Sequence, residues 1–207
     1  MSFSRALVTL AIGKKYAAFW HKVAEPSWRW YAQKYDFDLI CIEHPLDISR
    51  RAQDRSAAWQ KCLILSQDFA QRYEQLVWLD TDMLINNRAA PDVAADVPLE
   101  KVGAVEEMLF SPRGLTILPS WPRHLRKICG TTGREYYAIW GLPNDCDAVV
   151  NTGLLVLSPR YHRELLESIY YDYEERGEGR ELQMEMRPLS YELCRAGLIY
   201  WLDHRFN

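Results

Sequence analysis

Asp80 and Asp82 sit inside the most strand-like stretch of the sequence. In LVWLDTDML (76–84), four apolar residues run into Asp80, Thr81 and Asp82, and apolar character resumes at Met83 and Leu84. Desolvating a carboxylate without a partner costs several kcal/mol or more, so the pair calls for compensation. In an extended chain residues 80 and 82 share one face and Thr81 takes the other. With the strand ending near Asp80, both carboxylates stand at the carboxyl edge of a sheet, where open α/β sheets bind ligands. Two hard oxygen ligands there suit Mg²⁺ or Mn²⁺ and leave coordination positions for phosphate oxygens and water. The plainer alternative is turn chemistry at a solvated strand end, and Asp-x-Asp alone does not separate the two.

Further polar residues fall at similar places. Glu106 and Glu107 close the apolar run VGAVEE; being adjacent they point to opposite faces, so at most one shares a site with Asp80. Asn151, Thr152 and Gly153 interrupt the strand VVNTGLLVL and need hydrogen-bond partners. Either a ligand hydroxyl or a bulge closed by neighbouring backbone would supply them.

The elements that position these residues alternate in type. RALVTLAI (5–12), ending at Gly13, reads as a buried strand, and residues 14–35 as a helix that buries Trp20, Val23 and Trp30 or Tyr31, with Pro26 at a break or in the first turn of a second helix. FDLICIE (37–43) is the second strand. Residues 56–73 read as the clearest helix, with Ser56 as cap and Trp59, Cys62 or Leu63, Ser66, Phe69 and Tyr73 on one face. Strands follow at 76–84, 102–107 and 149–157. A helix then opens with Ser158 and Pro159 and buries Leu165, Leu166, Ile169 and Tyr173. A short helix from Leu189 to Gly197 and the strand LIYWL (198–202) complete the chain. Strands alternating with helices predict one α/β domain, residues 1–207, around a mostly parallel sheet. Residues 108–148, rich in Pro, Gly and aromatics, have no clean period and read as a substrate-shaping insertion.

VWLDTDMLI, preceded by AAWQKCLIL and followed by GAVEE and VNTGLLVLSP, resembles the GT-A-fold nucleotide-sugar glycosyltransferases. The likeness is greatest to retaining, metal-dependent families of the glycogenin and galactosyltransferase type, and runs from Leu7 to Asn207. The resemblance implies a Rossmann-like GT-A domain moving a sugar, with retention, from a nucleotide-sugar, UDP by default, to a hydroxyl acceptor with Mn²⁺ or Mg²⁺. Asp80 and Asp82 become the DxD motif: Asp82 ligates the metal, and Asp80 contacts the metal or the ribose, with Thr81 beside them. Thr9, Ala11, Ile12 and Gly13 line the base pocket, and Trp59 and Lys61 lie on the helix passing the nucleotide. On helical spacing Trp59 faces the core, whereas Lys61 points elsewhere, towards a phosphate, the sugar or solvent. Asn151, Thr152 and Gly153 lie beneath the donor or acceptor sugar. Glu185 takes the place of the aspartate that handles the donor sugar, with Glu106 or Glu107 as a further carboxylate near it. Two departures stand out: Met186 replaces the usual glutamine, and the chain stops at Asn207, short of the segment bearing the family's metal-completing histidine and diphosphate clamp. His204 is the candidate substitute for that histidine.

Bulk properties narrow the classes. A formal net charge of -3 argues against general affinity for nucleic acid or anionic membranes. The five cysteines are widely spaced with no metal-ligand pattern, which points to a reducing, cytoplasmic setting; Cys41, Cys62 and Cys194 read as small buried hydrophobes. No segment is long and apolar enough to cross a bilayer, and the amino terminus reads as a strand rather than a signal peptide. Two other readings compete. A haloacid-dehalogenase-like phosphatase also places Asp-x-Asp after an apolar strand, although normally the first one, with Thr or Val where Leu84 stands. A degenerate domain would bind the sugar nucleotide without turnover.

Overall fold

The computed structural model describes residues 4–107, 132–138, 141–174 and 185–206. The stretch 108–131, over half of the expected insertion, lies outside the described residues. One six-stranded sheet organises the chain: β1 (Arg5–Leu10), β2 (Asp38–Ile42), β3 (Gln75–Leu79), β4 (Val102–Glu106), β5 (Val150–Leu157) and β6 (Ile199–Trp201), in the order β2-β1-β3-β5-β4-β6. β5 runs antiparallel to β3 and β4, and the other pairings are parallel. The mostly parallel α/β arrangement is the one expected.

Both faces of the sheet are covered, which is why its strands are apolar runs rather than alternations. Ala6, Val8, Leu76, Trp78, Leu155 and Leu157 pack into one core with Trp59, Leu166, Ile169 and Leu189. Leu7, Val77, Leu79, Leu154 and Val156 face a second core with Trp20, Trp28 and Tyr31. The helix expected over 14–35 is in three pieces: α1 (Lys14–Phe19), a π-helical turn (Trp20–Ala24) and α2 (Glu25–Tyr35), with Pro26 in the first turn of α2.

Four expectations need correction. Residues 56–73 are not one α-helix but two 3₁₀ segments, Ala57–Ser66 and Asp68–Arg72, separated at Gln67 in an extended conformation. Trp59 through Leu65 are buried on every side, so there is no solvent face to select a 3.6-residue period. The tighter turn instead superposes Trp59, Cys62 and Leu65. Ser56 does cap the first segment, its hydroxyl accepting from Ala58 N–H at 3.3 Å. The short α3 (Arg50–Gln53) precedes it. In α5 (Pro159–Asp172) Tyr170 is buried where Tyr173 was expected, and the Ser158 N–H is satisfied by His162 Nδ1 at 2.8 Å. The last helix, α6, spans Met186–Arg195; Pro188 lies in its first turn, where a missing N–H carries no penalty. α4 (Gly133–Ala138) packs Tyr136 and Tyr137 against Tyr191 of α6. Of the cysteines, Cys62 and Cys146 are buried, while Cys41 and Cys194 are only partly so.

Candidate functional site

Leu79 ends β3, and the chain turns at once. Asp80 N–H donates to Gly153 O of β5 at 2.8 Å, and Met83 N–H donates back to Asp80 O at 3.1 Å. Residues 80–83 are therefore a turn, not extended chain. The alternation that placed Thr81 on the opposite face does not apply: Asp80, Thr81 and Asp82 all line one cleft of about 380 Å³, together with Leu10 and Ile12 of the β1 end and Tyr16 of α1. The cleft lies at the carboxyl edge of β1 and β3.

Lys61 forms the floor. Its side chain is 4% exposed, with Nζ 3.1 Å from Asp80 Oδ1 and 2.8 Å from Glu185 Oε1, and it donates to Thr152 O at 3.1 Å. Burial opposes its charge, but the Glu185 and Asp80 carboxylates outweigh that and hold its pKa above the ordinary lysine value. Lys61 is thus a fixed internal cation rather than a solvated helix-face lysine. Glu185, 3% exposed, also accepts from Thr152 Oγ1 at 3.1 Å, and its Oε2 is buried with no hydrogen-bond partner among the described residues. Asp80 is 41% exposed; its Oδ1 receives both Lys61 and the indole N–H of Trp78 at 2.9 Å. Asp82 is exposed.

Asn151, Thr152 and Gly153 form the bulge that was one of their two readings. Ala104 pairs with Leu155, yet the next residue, Val105, pairs with Asn151. Of the three residues between, Thr152 and Gly153 reach the site, while Leu154 faces the second core. Asn151 Oδ1 accepts from Gly153 N–H at 2.9 Å, and its Nδ2 donates to Glu107 Oε2 at 2.9 Å. A Cβ on Gly153 would sit 3.0 Å from Asn151 Oδ1 and 3.4 Å from Asp80 Oδ2, so glycine is what lets the bulge lie against the aspartate. Of the adjacent pair, Glu107 is joined to this network, while Glu106 is half-buried and pairs in the sheet opposite Val150.

The remaining predicted residues divide. Thr9 is buried, its hydroxyl donating to Leu79 O at 2.7 Å; Ala11 is buried and donates its N–H to Ile42 O. Both hold β1 in place behind the cleft, whereas Ile12 is on its wall. Gly13, at φ 93°, turns the chain into α1 with open space around it. Trp59 is fully buried, with the Arg55 guanidinium 4.6 Å from its ring centroid, which bears out the core placement of its ring. His204 is exposed beside Asp203. Among the described residues no three His, Cys, Asp or Glu side chains converge to hold a metal, so His204 is not gathered with Asp80 and Asp82. The donor set nonetheless fits a divalent cation. Lys61 and Trp78 occupy Asp80 Oδ1, Oδ2 accepts no hydrogen bond among the described residues, and Asp82 is exposed. Two carboxylates with the remaining positions filled by phosphate and water is the usual mode for such ions. The indole of Trp78 was not expected; its position two residues before Asp80 was the available signal.

No protein-family model matches the sequence, and no curated protein is matched by it. Solved structures do match. The WbbM bifunctional glycosyltransferase in its apo form aligns with TM-score 0.58 at 11% identity, over 98% of this chain and 39% of that one. The galactosyltransferase LgtC, solved with donor and acceptor sugar analogues, aligns with TM-score 0.56 at 14% identity, over 97% and 74%. A glycosyltransferase involved in glycosylation of the major capsid of PBCV-1 gives TM-score 0.47 at 14% identity, over 80% and 65%. The chain thus spans less than two thirds of two of these proteins. At such identities the first two alignments establish the fold: this α/β domain has the architecture of glycosyltransferase domains.

Proposed function

We propose that the chain transfers a sugar from a nucleotide-sugar, a UDP-sugar in the first instance, to a hydroxyl acceptor. One observation carries the reading: Asp80, Thr81 and Asp82 lie on a single turn at the carboxyl edge of the sheet, with Lys61 and Glu185 buried behind them. The fold shared with WbbM and LgtC supports it, and LgtC makes hexosyl donors the first to try.

Transfer breaks the bond between the anomeric carbon and the diphosphate and joins that carbon to the acceptor oxygen. Asp82 and Asp80 Oδ2 would hold Mn²⁺ or Mg²⁺. When bound, the cation offsets the negative charge that develops on the leaving diphosphate. Lys61 keeps Asp80 in one orientation by holding Oδ1 from behind. Glu185, braced by Lys61 and Thr152, and Glu107, braced by Asn151, are the carboxylates that orient the sugar or stabilise positive charge on its ring. Little covalent chemistry is asked of the protein, and positioning supplies much of the rest. Retention of anomeric configuration rests on the sequence resemblance, with the leaving phosphate accepting the acceptor's proton.

The test is a panel of sugar nucleotides with and without Mn²⁺, read by thermal shift and by nucleotide release. Manganese-dependent stabilisation and release are expected, and both should vanish in Asp82→Ala. Binding that Asp82→Ala leaves intact would refute the metal assignment. Release of phosphate from p-nitrophenyl phosphate instead would favour the phosphatase, and binding without product after long incubation the degenerate domain.

A further inference from the structure

The segment 14–35 carries a surface that neither core uses and that meets the cleft only at Tyr16. Its inner side buries Trp20, Ala24, Trp28 and Tyr31. On the outer side Tyr16, Phe19, Val23, Pro26 and Trp30 are exposed. Their intervals of three and four residues make successive members neighbours on a helix surface. The exposure of Tyr16, Phe19, Val23 and Trp30 runs from 38% to 59%, so each leaves a large apolar area outside the core, Val23 included, although helical spacing had turned it inward. Beside this stripe, one residue earlier in each case, run Lys15, Lys22 and Arg29, with Lys14 and Lys34 at the ends. Lys34 Nζ lies 5.1 Å from the Trp30 ring centroid. Arg29 and His21 share Glu25; Lys14, Lys15, Lys22 and Lys34 take part in no ion pair among the described residues. The segment holds five Lys and Arg against one acidic residue, in a chain whose formal net charge is -3.

From this pairing of an apolar stripe with a basic row we infer that the outer face of α1 and α2 docks on an anionic lipid surface. An amphipathic helix of this composition lies in the headgroup plane, its aromatic side inserted and its lysines against lipid phosphates. Tyrosine and tryptophan, apolar bodies with a polar edge, suit that depth. A second copy of the chain fits worse, because packing stripe on stripe sets the two basic rows against each other. No helix of the described residues is long and apolar enough to cross a membrane, so this contact is superficial. The net charge, which argues against general membrane affinity, averages over an asymmetric distribution. Tyr16 belongs both to the stripe and to the cleft wall, and docking therefore brings the cleft mouth to the headgroup plane. None of this depends on the transferase reading.

Co-sedimentation of the full chain with vesicles tests it, comparing phosphatidylcholine alone with a phosphatidylcholine–phosphatidylglycerol mixture at low salt. Binding to the mixture should exceed binding to neutral vesicles by roughly tenfold or more, and should weaken with added salt. Lys15→Glu with Lys22→Glu should lower it by about 25-fold or more. Phe19→Ser with Trp30→Ser should also lower it by roughly tenfold or more, with the melting curve of the variant confirming that it is folded at the assay temperature. Equal binding to the two vesicle types, absence of binding, or binding unchanged by both double substitutions would overturn the proposal. So would loss of a solution dimer in Phe19→Ser with Trp30→Ser without any vesicle binding by the parent, which would assign the stripe to a second copy.

Discussion

Lys61 concentrates the energetics of the site in one side chain. Its ammonium is 4% exposed and faces Glu185, itself 3% exposed. Removing one partner of a buried pair leaves the other charge uncompensated, which costs about 3–5 kcal/mol. Lys61→Met should therefore be strongly destabilised in urea unfolding. Adding Glu185→Leu removes the stranded carboxylate, so the double variant should be more stable than Lys61→Met alone. If the double variant is instead as unstable as the two losses summed, the coupling does not exist. The sign of the pH effect follows from the raised pKa. Lys61 contributes its full stability below the unfolded lysine value of about 10.4 and loses it as pH climbs through the higher folded value. Lys61→Met should lack that alkaline loss. None of this was legible from Lys61 in the sequence. The neighbours that define it, Asp80, Thr152 and Glu185, come from three separate segments, and spacing along one helix says nothing about them.

At the scale of elements, what was legible depended on whether a segment has one face or two. The strands announced themselves as β-branched and aliphatic runs, and Gly13, Ser56 and Pro159 marked real boundaries. The segment 57–72 was misread because the burial of Trp59 through Leu65 on every side erases the period on which a helix is recognised. The turn at 80–83 closes on itself, Met83 N–H donating to Asp80 O, but Asp80 N–H anchors it to Gly153 O of β5, a contact the local sequence does not show. That contact gives a sharp comparison. Gly153→Ala crowds Asn151 Oδ1 at 3.0 Å and brings a methyl into contact with Asp80 Oδ2 at 3.4 Å, so it should impair manganese-dependent nucleotide binding. Gly103→Ala meets Val156 Cβ and Val97 Cγ2 at 2.9 Å in the core. It should cost about 1–3 kcal/mol by overpacking, yet leave the affinity of the folded protein unchanged. Equal affinity losses in both would remove Gly153 from the site. A second element-level prediction concerns the π-helical turn, where His21 bridges Glu25 at 2.6 Å and Glu43 at 2.8 Å. Both hydrogen bonds raise the His21 pKa, Glu25 more than Glu43. A raised folded pKa means stability present below about pH 6.5 and lost as pH rises through the folded value. The difference in melting temperature between wild type and His21→Gln should shrink across that window; a constant difference would show that the bridge does not depend on the imidazolium.

For the whole molecule, ligand binding must appear as stability, because a nucleotide-sugar that occupies the cleft binds only the folded chain. At a free concentration of about 100 times the dissociation constant the gain is roughly 2.7 kcal/mol. In a domain of this size each kcal/mol moves the melting temperature by about 2–4 °C, so a shift of roughly 5–11 °C is expected. The donor set makes the shift conditional. Asp80 Oδ1 is already occupied by Lys61 and Trp78, which leaves two carboxylates to hold a cation and requires the ligand's phosphates to complete its coordination. Neither manganese alone nor nucleotide alone should then reproduce the shift given by the two together. Asp82→Ala should melt within about 0.5 kcal/mol of wild type without ligand, as an exposed substitution does, and show no joint shift. Phe19→Ser with Trp30→Ser, on the outer face of α1 and α2, should keep the joint shift in full. If the nucleotide-sugar alone gave the whole effect, the turn at 80–83 would be binding through hydrogen bonds rather than through a cation, and the role proposed for Asp82 would fall while the cleft stood.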